Sequence, residues 1–293
     1  IAHPFLLIPV KIKENAERLS FYIEEQKVLE YRVFPLEEGE TVDYYASLPV
    51  TPWIGKTIRL EGNYPEAFYT QIKQADDPAE SDQVHPLMLF YQHNAFGTKW
   101  DNMSWGHAVS KDLLHWEHRP MAILPDEDGT IFSGSGICNE KGLLGLPKDA
   151  LVFFYTSAGG SSDSPWSEGG RFTQRIAYST DHGATLHKKG DVIVPNLTEG
   201  NRDPKVYWHE ESKGYIMSLY LKNHVYAILR SEDLEHWELT QKLPFITARE
   251  CPDLRPVPTE EGGEKWILFT ASGEYFKGDF DGFHSIPAAD QDY

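Results

Sequence analysis

The stretch SKDLLHWE at Ser110–Glu117 returns 121 residues later as SEDLEHWE at Ser231–Glu238. A spelling kept twice at that distance constrains folding strongly, because internal repeats mark one supersecondary unit built several times. Each copy follows an apolar run, and the runs outnumber the copies. They read PLMLFYQHN from Pro86, ALVFFYTSA from Ala150, GYIMSLYLK from Gly214 and KWILFTASG from Lys265, with starts 64, 64 and 51 residues apart. Each run is short, rich in β-branched or aromatic residues and bounded by turn formers, which is the pattern of a strand buried on both faces.

A second strand is expected after each run: WGHAVSKD from Trp105, RIAYSTD from Arg175, HVYAILRSED from His224 and YFKGDFDG from Tyr275. Asp112, Asp181 and Asp233 sit just past these strands, where a carboxylate accepts backbone N–H bonds in a turn. Trp116 and Trp237 then begin the strand that follows. Small antiparallel sheets of this length cannot bury their own faces, so the repeat predicts β-propeller blades with the eight-residue motif as a blade corner. His115 and His236 are then structural, and His115 with His118 is not a metal pair.

The first 75 residues differ. LLIPVKIK, LSFYIEE, KVLEYRVFPL and KTIRLEG alternate like strands of a half-exposed sheet, with no helix-length pattern. The expected organisation is all-β: a small β-sandwich-like module over 1–75 and an incomplete five-bladed propeller of about four blades over 76–293. The acidic, apolar-poor QADDPAESDQVHP joins them.

The formal net charge of −18 repels phosphate backbones, and no basic patch offsets it, so nucleic acid is excluded as a partner. No run approaches the 18 or more apolar residues of a membrane span. A chain opening at Ile1 without a basic start or apolar leader is expected to be processed or cut from something longer. Cys138 and Cys251 make no disulfide framework or metal box, and read as two free buried thiols.

In a propeller the first strand of each blade lines the central channel. Working backward from the apolar runs gives IFSGSGIC with Phe132 and Ser133, NRDPKVYW with Arg202 and Asp203, and RECPDLRPV with Glu250. An aspartate and a glutamate thus occupy matching places on adjacent blades. Paired carboxyls suit glycoside cleavage, one protonating the leaving oxygen and the other meeting developing positive charge. The alternative stays open that Asp-Pro and Glu-Cys-Pro are simply turn starters.

FYQHNAFGTKWDNMSWGHAVSKDLLHWEHRPMAILPDE, IFSGS, NRDPKV and ECPDL stand in the order and spacing of glycoside hydrolase family 32, which the chain resembles from about Leu87 to Tyr293. This is the family of invertases, levanases and inulinases, with a five-bladed catalytic propeller. The first module is similar to the N-terminal β-sandwich of some fructan hydrolases. The resemblance implies a retaining enzyme for β-fructofuranosyl linkages in levan, inulin or sucrose. Its partner would be a fructose-containing oligo- or polysaccharide, with no cofactor or metal. It implies that Asp203 is the transition-state stabiliser and Glu250 the general acid/base, with Gln92, Trp100, Phe132, Ser133 and Arg202 shaping the fructosyl pocket. Trp100 and Phe132 have an alternative as core aromatics, and Arg202 as a plain ion-pair partner of Asp203. Family habit also implies a secreted, periplasmic or cell-surface protein.

The pattern breaks at the family's nucleophile, an aspartate in Trp-Met-Asn-Asp-Pro-Asn-Gly. The sequence runs instead through QIKQADDPAESDQVHP into the first apolar run, and Asp77 in Asp76-Asp77-Pro78 is the nearest imitation. A fifth blade and the usual C-terminal sandwich are also missing from the pattern. Without a nucleophile, turnover is expected to be impaired, and a non-catalytic fructan-binding protein is the alternative. A different furanosidase on a related propeller, such as an arabinan-acting enzyme, is a third reading, which the Gln92, Trp100 and Phe132-Ser133 motifs disfavour.

Overall fold

A computed structural model of the chain describes residues 1–11, 13, 16–76, 87–111, 113–245, 249–260 and 262–287. Asp77, Asp112 and most of the expected junction lie outside the described residues. The chain divides into two compact units, Ile1–Ile131 with Gly159–Gly169, and Phe132–Ala158 with Gly170–Tyr293.

The first unit begins with β1 (Phe5–Val10), β2 (Glu17–Ile23), β3 (Gln26–Val33), β4 (Tyr44–Pro49), β5 (Ile58–Glu61), the five-residue helix α1 (Glu66–Thr70) and β6 (Lys73–Ala75). They form two three-stranded sheets, ordered β4-β1-β6 and β3-β2-β5. Ile8, Val10, Leu19, Phe21, Tyr31, Val33 and Leu48 are buried in one cluster fed by both sheets. The period-2 alternation read from the sequence supplies those side chains, since alternate residues of a strand share a face. A third sheet of the same unit holds β7 (Leu87–His93), β8 (Ser104–Ser110) and β9 (Trp116–Ile123) in that order.

The second unit is three four-stranded antiparallel meanders: β10 (Thr130–Cys138) to β13 (His187–Val194) through β11 (Leu151–Ala158) and β12 (Phe172–Ser179), β14 (Arg202–His209) to β17 (Glu238–Pro244) through β15 (Gly214–Tyr220) and β16 (Val225–Ser231), and β18 (Asp253–Pro258) to β21 (Ser285–Pro287) through β19 (Glu264–Phe269) and β20 (Tyr275–Phe280). Consecutive sheets bury each other's faces. Val152, Phe154 and Ile176 of one cluster with Val206, Met217 and Leu229 of the next. Tyr207, Ile216 and Ile228 cluster in turn with Leu254, Leu268 and Phe276. A fully buried side chain such as Phe154 contributes roughly 2–3 kcal/mol of transfer free energy. The fold is all-β, an incomplete propeller of successive blade sheets, as the repeat predicted.

All four apolar runs and the four strands after them fall on strands β7, β8, β11, β12, β15, β16, β19 and β20. β11 and β15 are buried almost throughout, whereas β7 and β19 are only half-buried, so burial on both faces fails for two of the four runs. Two of the three expected corners lie among the described residues and close as read, and Asp281 forms a further one. Asp181 accepts from Thr185 N–H at 3.0 Å, Asp233 from Glu235 and His236 N–H at 2.9 and 2.8 Å, and Asp281 from Phe283 and His284 N–H at 2.8 and 2.6 Å. His236 pairs with Asp233 at 2.7 Å and His118 with the Tyr91 hydroxyl at 2.9 Å. Among the described residues, no helix is long and apolar enough to cross a membrane.

Candidate active site

The site is built where β14 begins. Arg202 pairs with Tyr220 of β15 and Lys205 with Ser218, so Asp203 and Pro204 together oppose a single residue, Leu219. That is a β-bulge, which bends the strand and takes backbone groups out of the ladder. Asp203 has φ 66, a left-handed backbone that costs an ordinary residue about 1–2 kcal/mol. Its carboxyl is aimed by this distortion rather than by regular strand geometry.

The next sheet supplies the second carboxyl. Glu250 and Cys251 precede β18 and are also left-handed, with φ 58 and 44. Three such residues at one spot mark a strained site of the kind that clusters at functional centres. The Glu250 carbonyl accepts from the Tyr226 hydroxyl at 3.2 Å and from Ala271 N–H at 3.3 Å. Cys251 N–H donates to Asp203 Oδ2 at 3.0 Å, tying the segment to the bulge.

Arg202 lies between the two acids. Its Nη2 donates to Glu250 Oε1 at 2.6 Å and its Nε stands 3.9 Å from Asp203 Oδ2. Its Nη1 donates to the Gly200 carbonyl at 2.7 Å, and its guanidinium centre lies 4.6 Å from the Tyr220 ring centroid. The shorter ion pair of Arg202 is with Glu250, 48 residues away, rather than with the neighbouring Asp203.

The two acids have opposite surroundings. Asp203 is 7% exposed, and burial pushes its carboxyl above the usual range, with the Glu250 charge adding to the rise. The Cys251 N–H and the Arg202 charge oppose that rise. The Glu250 side chain is 50% exposed and reaches solvent. Loss of solvation together with the Asp203 and Glu250 carboxylates pushes the Cys251 thiol up to about 12. Cys138 and Cys251 are both free, but both are exposed, which corrects the expectation of buried thiols. Cys138 is the last residue of β10, and Cys251 sits in the left-handed segment facing the site, so neither occupies a core position.

Phe132 and Ser133 lie half-buried on β10, with Phe132 edge-on to Phe172 at 5.4 Å. Ser135, on the same strand face as Ser133, donates its hydroxyl to the Pro204 carbonyl at 2.9 Å and accepts from Val206 N–H at 3.0 Å, pinning the bulge. Gln92 and Trp100 belong to the other unit. Gln92 Nε2 donates to the Ile131 carbonyl at 3.3 Å, and Trp100 is 61% exposed, so it is no core aromatic.

Sequence reasoning missed Ser135, Thr156, Gln174, Tyr220 and Tyr226. Thr156 and Gln174 sit inside strands that read simply as apolar runs with occasional polar residues. Only the oddness of a polar side chain in a wholly buried strand could have flagged them. Chemically, a solvent-facing carboxyl beside a buried one gives two acids of unlike surroundings, the arrangement in which one can handle a proton and the other a developing charge.

A model of the N-terminal domain of glycosyl hydrolases family 32 matches residues 76–284. The chain is 37% identical over 218 residues to a levanase of Bacillus subtilis, covering 67% of this chain and 31% of that one. It is 33% identical over 244 residues to an extracellular exo-inulinase of Aspergillus awamori, covering 70% of this chain and 45% of the relative. The crystal structure of that organism's exo-inulinase superposes with a TM-score of 0.60 at 32% identity, over 69% of this chain and 47% of that one. A fructofuranosidase of Schwanniomyces occidentalis, complexed with fructose, superposes with a TM-score of 0.59 at 32% identity, over 68% and 42%. The chain thus spans less than half the length of these relatives.

Proposed function

The chain belongs to glycosyl hydrolase family 32, and from that premise we propose that it acts on β-fructofuranosyl linkages of levan, inulin or sucrose, with Glu250 as general acid/base and Asp203 as transition-state stabiliser. The observation that carries this reading is the meeting of a buried and a solvent-facing carboxyl across adjacent sheets, with Arg202 2.6 Å from one and 3.9 Å from the other. The names of the levanase, exo-inulinase and fructose-bound fructofuranosidase relatives support the substrate class.

Glu250, on the open side, gives its proton to the oxygen leaving the fructosyl carbon. Positive charge then grows on that carbon and its ring oxygen. Asp203 meets it from the buried side, where low dielectric strengthens the attraction and the bulge has already fixed the geometry. Arg202, held also by the Gly200 carbonyl and the Tyr220 ring, stands beside both carboxyls, where its charge can meet a sugar hydroxyl. Phe132 and Ser133, on β10 of the same unit as both acids, line the fructosyl pocket in this proposal. The family match starting at residue 76 supports a division into an accessory module over 1–75 and a catalytic domain over 76–293. Polymeric substrates and extracellular relatives support a working place that is secreted, periplasmic or cell-surface.

Retaining hydrolysis also needs a nucleophile to carry the covalent fructosyl intermediate. The sequence holds no Trp-Met-Asn-Asp-Pro-Asn-Gly stretch, and Asp77 lies outside the described residues. Slow turnover with retained sugar binding is therefore the expected behaviour, and the same observation favours a non-catalytic fructan-binding protein as the second reading. Sucrose and levan hydrolysis, measured beside fructose calorimetry, tests both. Slow fructose release that disappears in Glu250→Gln and falls by about 100-fold in Asp203→Asn supports the hydrolase. Saturable fructose binding without release supports the binding protein, and absence of both defeats the site.

A further inference from the structure

The bulge that aims Asp203 leaves a backbone N–H without a ladder partner, and a buried N–H requires one. It finds one on the neighbouring sheet: Asp203 N–H donates to Thr156 Oγ1 of β11 at 3.0 Å. The Thr156 hydroxyl proton is committed elsewhere, to Gln174 Oε1 of β12 at 2.7 Å. The Gln174 amide is oriented in turn, because its Nε2 donates to the Asn201 carbonyl at 3.0 Å. Thr156, Gln174 and Asn201 are all fully buried. The bonds close a ring that grips the backbone of Asn201–Arg202–Asp203 from both ends, and that tripeptide carries two of the site's charged groups.

We propose that Thr156 and Gln174 are positioning residues, which hold Asp203 in its left-handed conformation and thereby aim its carboxyl at the sugar. The donor order makes the arrangement directional. Gln174 takes the Thr156 proton, so a lone pair of the threonine oxygen faces Asp203 N–H. Asp203 also precedes Pro204, and a residue before proline is steered toward extended backbone with negative φ. Its φ of 66 therefore needs an external hold, and the ring supplies it. Asp203 touches the sugar in the functional reading on which this inference rests, whereas Thr156 and Gln174 act only through it.

Thr156→Val keeps the side-chain volume and removes the acceptor, while Thr156→Ser keeps the acceptor. Amide exchange at Asp203, read by NMR on the full chain, is expected to speed up about tenfold in Thr156→Val and to stay at the wild-type rate in Thr156→Ser. Exchange along β15 should not change in either variant. Fructose affinity from calorimetry is expected to drop about tenfold in Thr156→Val, as in Asp203→Asn, with no further loss in the double variant because both act through one group. Should Thr156→Val fail to fold, Gln174→Met takes its place, since it frees the threonine hydroxyl to rotate and predicts the same faster exchange. Wild-type exchange at Asp203 in the folded variant overturns the proposal whatever the chain binds. The predicted exchange pattern in a chain that binds no fructose upholds the positioning role and overturns the functional reading instead.

Discussion

The corner at Ser110–Glu117 and the corner at Ser231–Glu238 share six of their eight residues and make the same turn bonds among their described residues. In each, the serine hydroxyl accepts from the leucine N–H three residues on, Leu113 at 2.9 Å and Leu234 at 2.8 Å. In each that leucine is left-handed, with φ 65 and 71. The tryptophan indole N–H returns to the leucine carbonyl in both, at 3.0 Å for Trp116 and 2.9 Å for Trp237. Their burial is opposite. Leu234 is 0% exposed, in the cluster that holds Val152 and Phe154, and Trp237 lies edge-on to Phe154 at 6.1 Å. Leu113 is 61% exposed. Local sequence dictates the shape of the turn, and a neighbouring sheet alone decides whether that turn contributes to the core.

The largest break in this symmetry is expected from truncating the leucines. Leu234→Ala should lower unfolding free energy by about 3 kcal/mol, with Leu113→Ala within about 0.5 kcal/mol of the parent, both read by urea titration. Equal losses would mean that the two turns are energetically alike after all. The serines should behave as a matched pair: Ser110→Ala and Ser231→Ala each cost about 1 kcal/mol, because the bond each makes is local. Leu113→Gly should stabilise by about 0.5 kcal/mol by relieving the left-handed strain, whereas Leu234→Gly destabilises through its lost burial.

The smallest effect is electrostatic. Partial burial opposes ionisation of Asp233, but the N–H groups of His236 and Glu235 and the His236 imidazole outweigh it and hold the carboxyl down at about 2. A depressed carboxylate stabilises above the unfolded value of about 3.9 and loses that contribution as pH falls through about 2. The His236 bond to Asp233 raises the imidazole, so its contribution is full below about 6.5 and fades as pH rises through the folded value. Because the corner is exposed, Asp233→Asn should remove only a few tenths of a kcal/mol, visible as a flatter stability profile between pH 4 and pH 2 in thermal melts.

How much was legible follows the same division. The apolar runs were visible as strands because aromatic and β-branched residues between turn formers encode them locally. Strand β4, YYASLP, was not, since alanine, serine and two nearby prolines dilute the signal, and the three polar residues of β6 become a strand only by pairing with β1. Asp203 and Glu250 were singled out as candidates from their place before the apolar runs and from their motifs. The Arg202–Glu250 pair and the Thr156–Gln174 ring were not, because each joins residues on different strands whose proximity only folding creates.

Two solvent-reachable thiols with unequal chemistry give the molecule a practical asymmetry. The Cys251 sulfur, held up to about 12 by its setting, is almost wholly protonated at neutral pH and reacts slowly with maleimides or disulfides. Cys138, at the end of β10, has no carboxylate contact of that kind among its described bonds, and its Sγ reaches only the Lys148 carbonyl at 3.6 Å. A thiol-selective dye should therefore mark one position, on the strand that also carries Phe132 and Ser133.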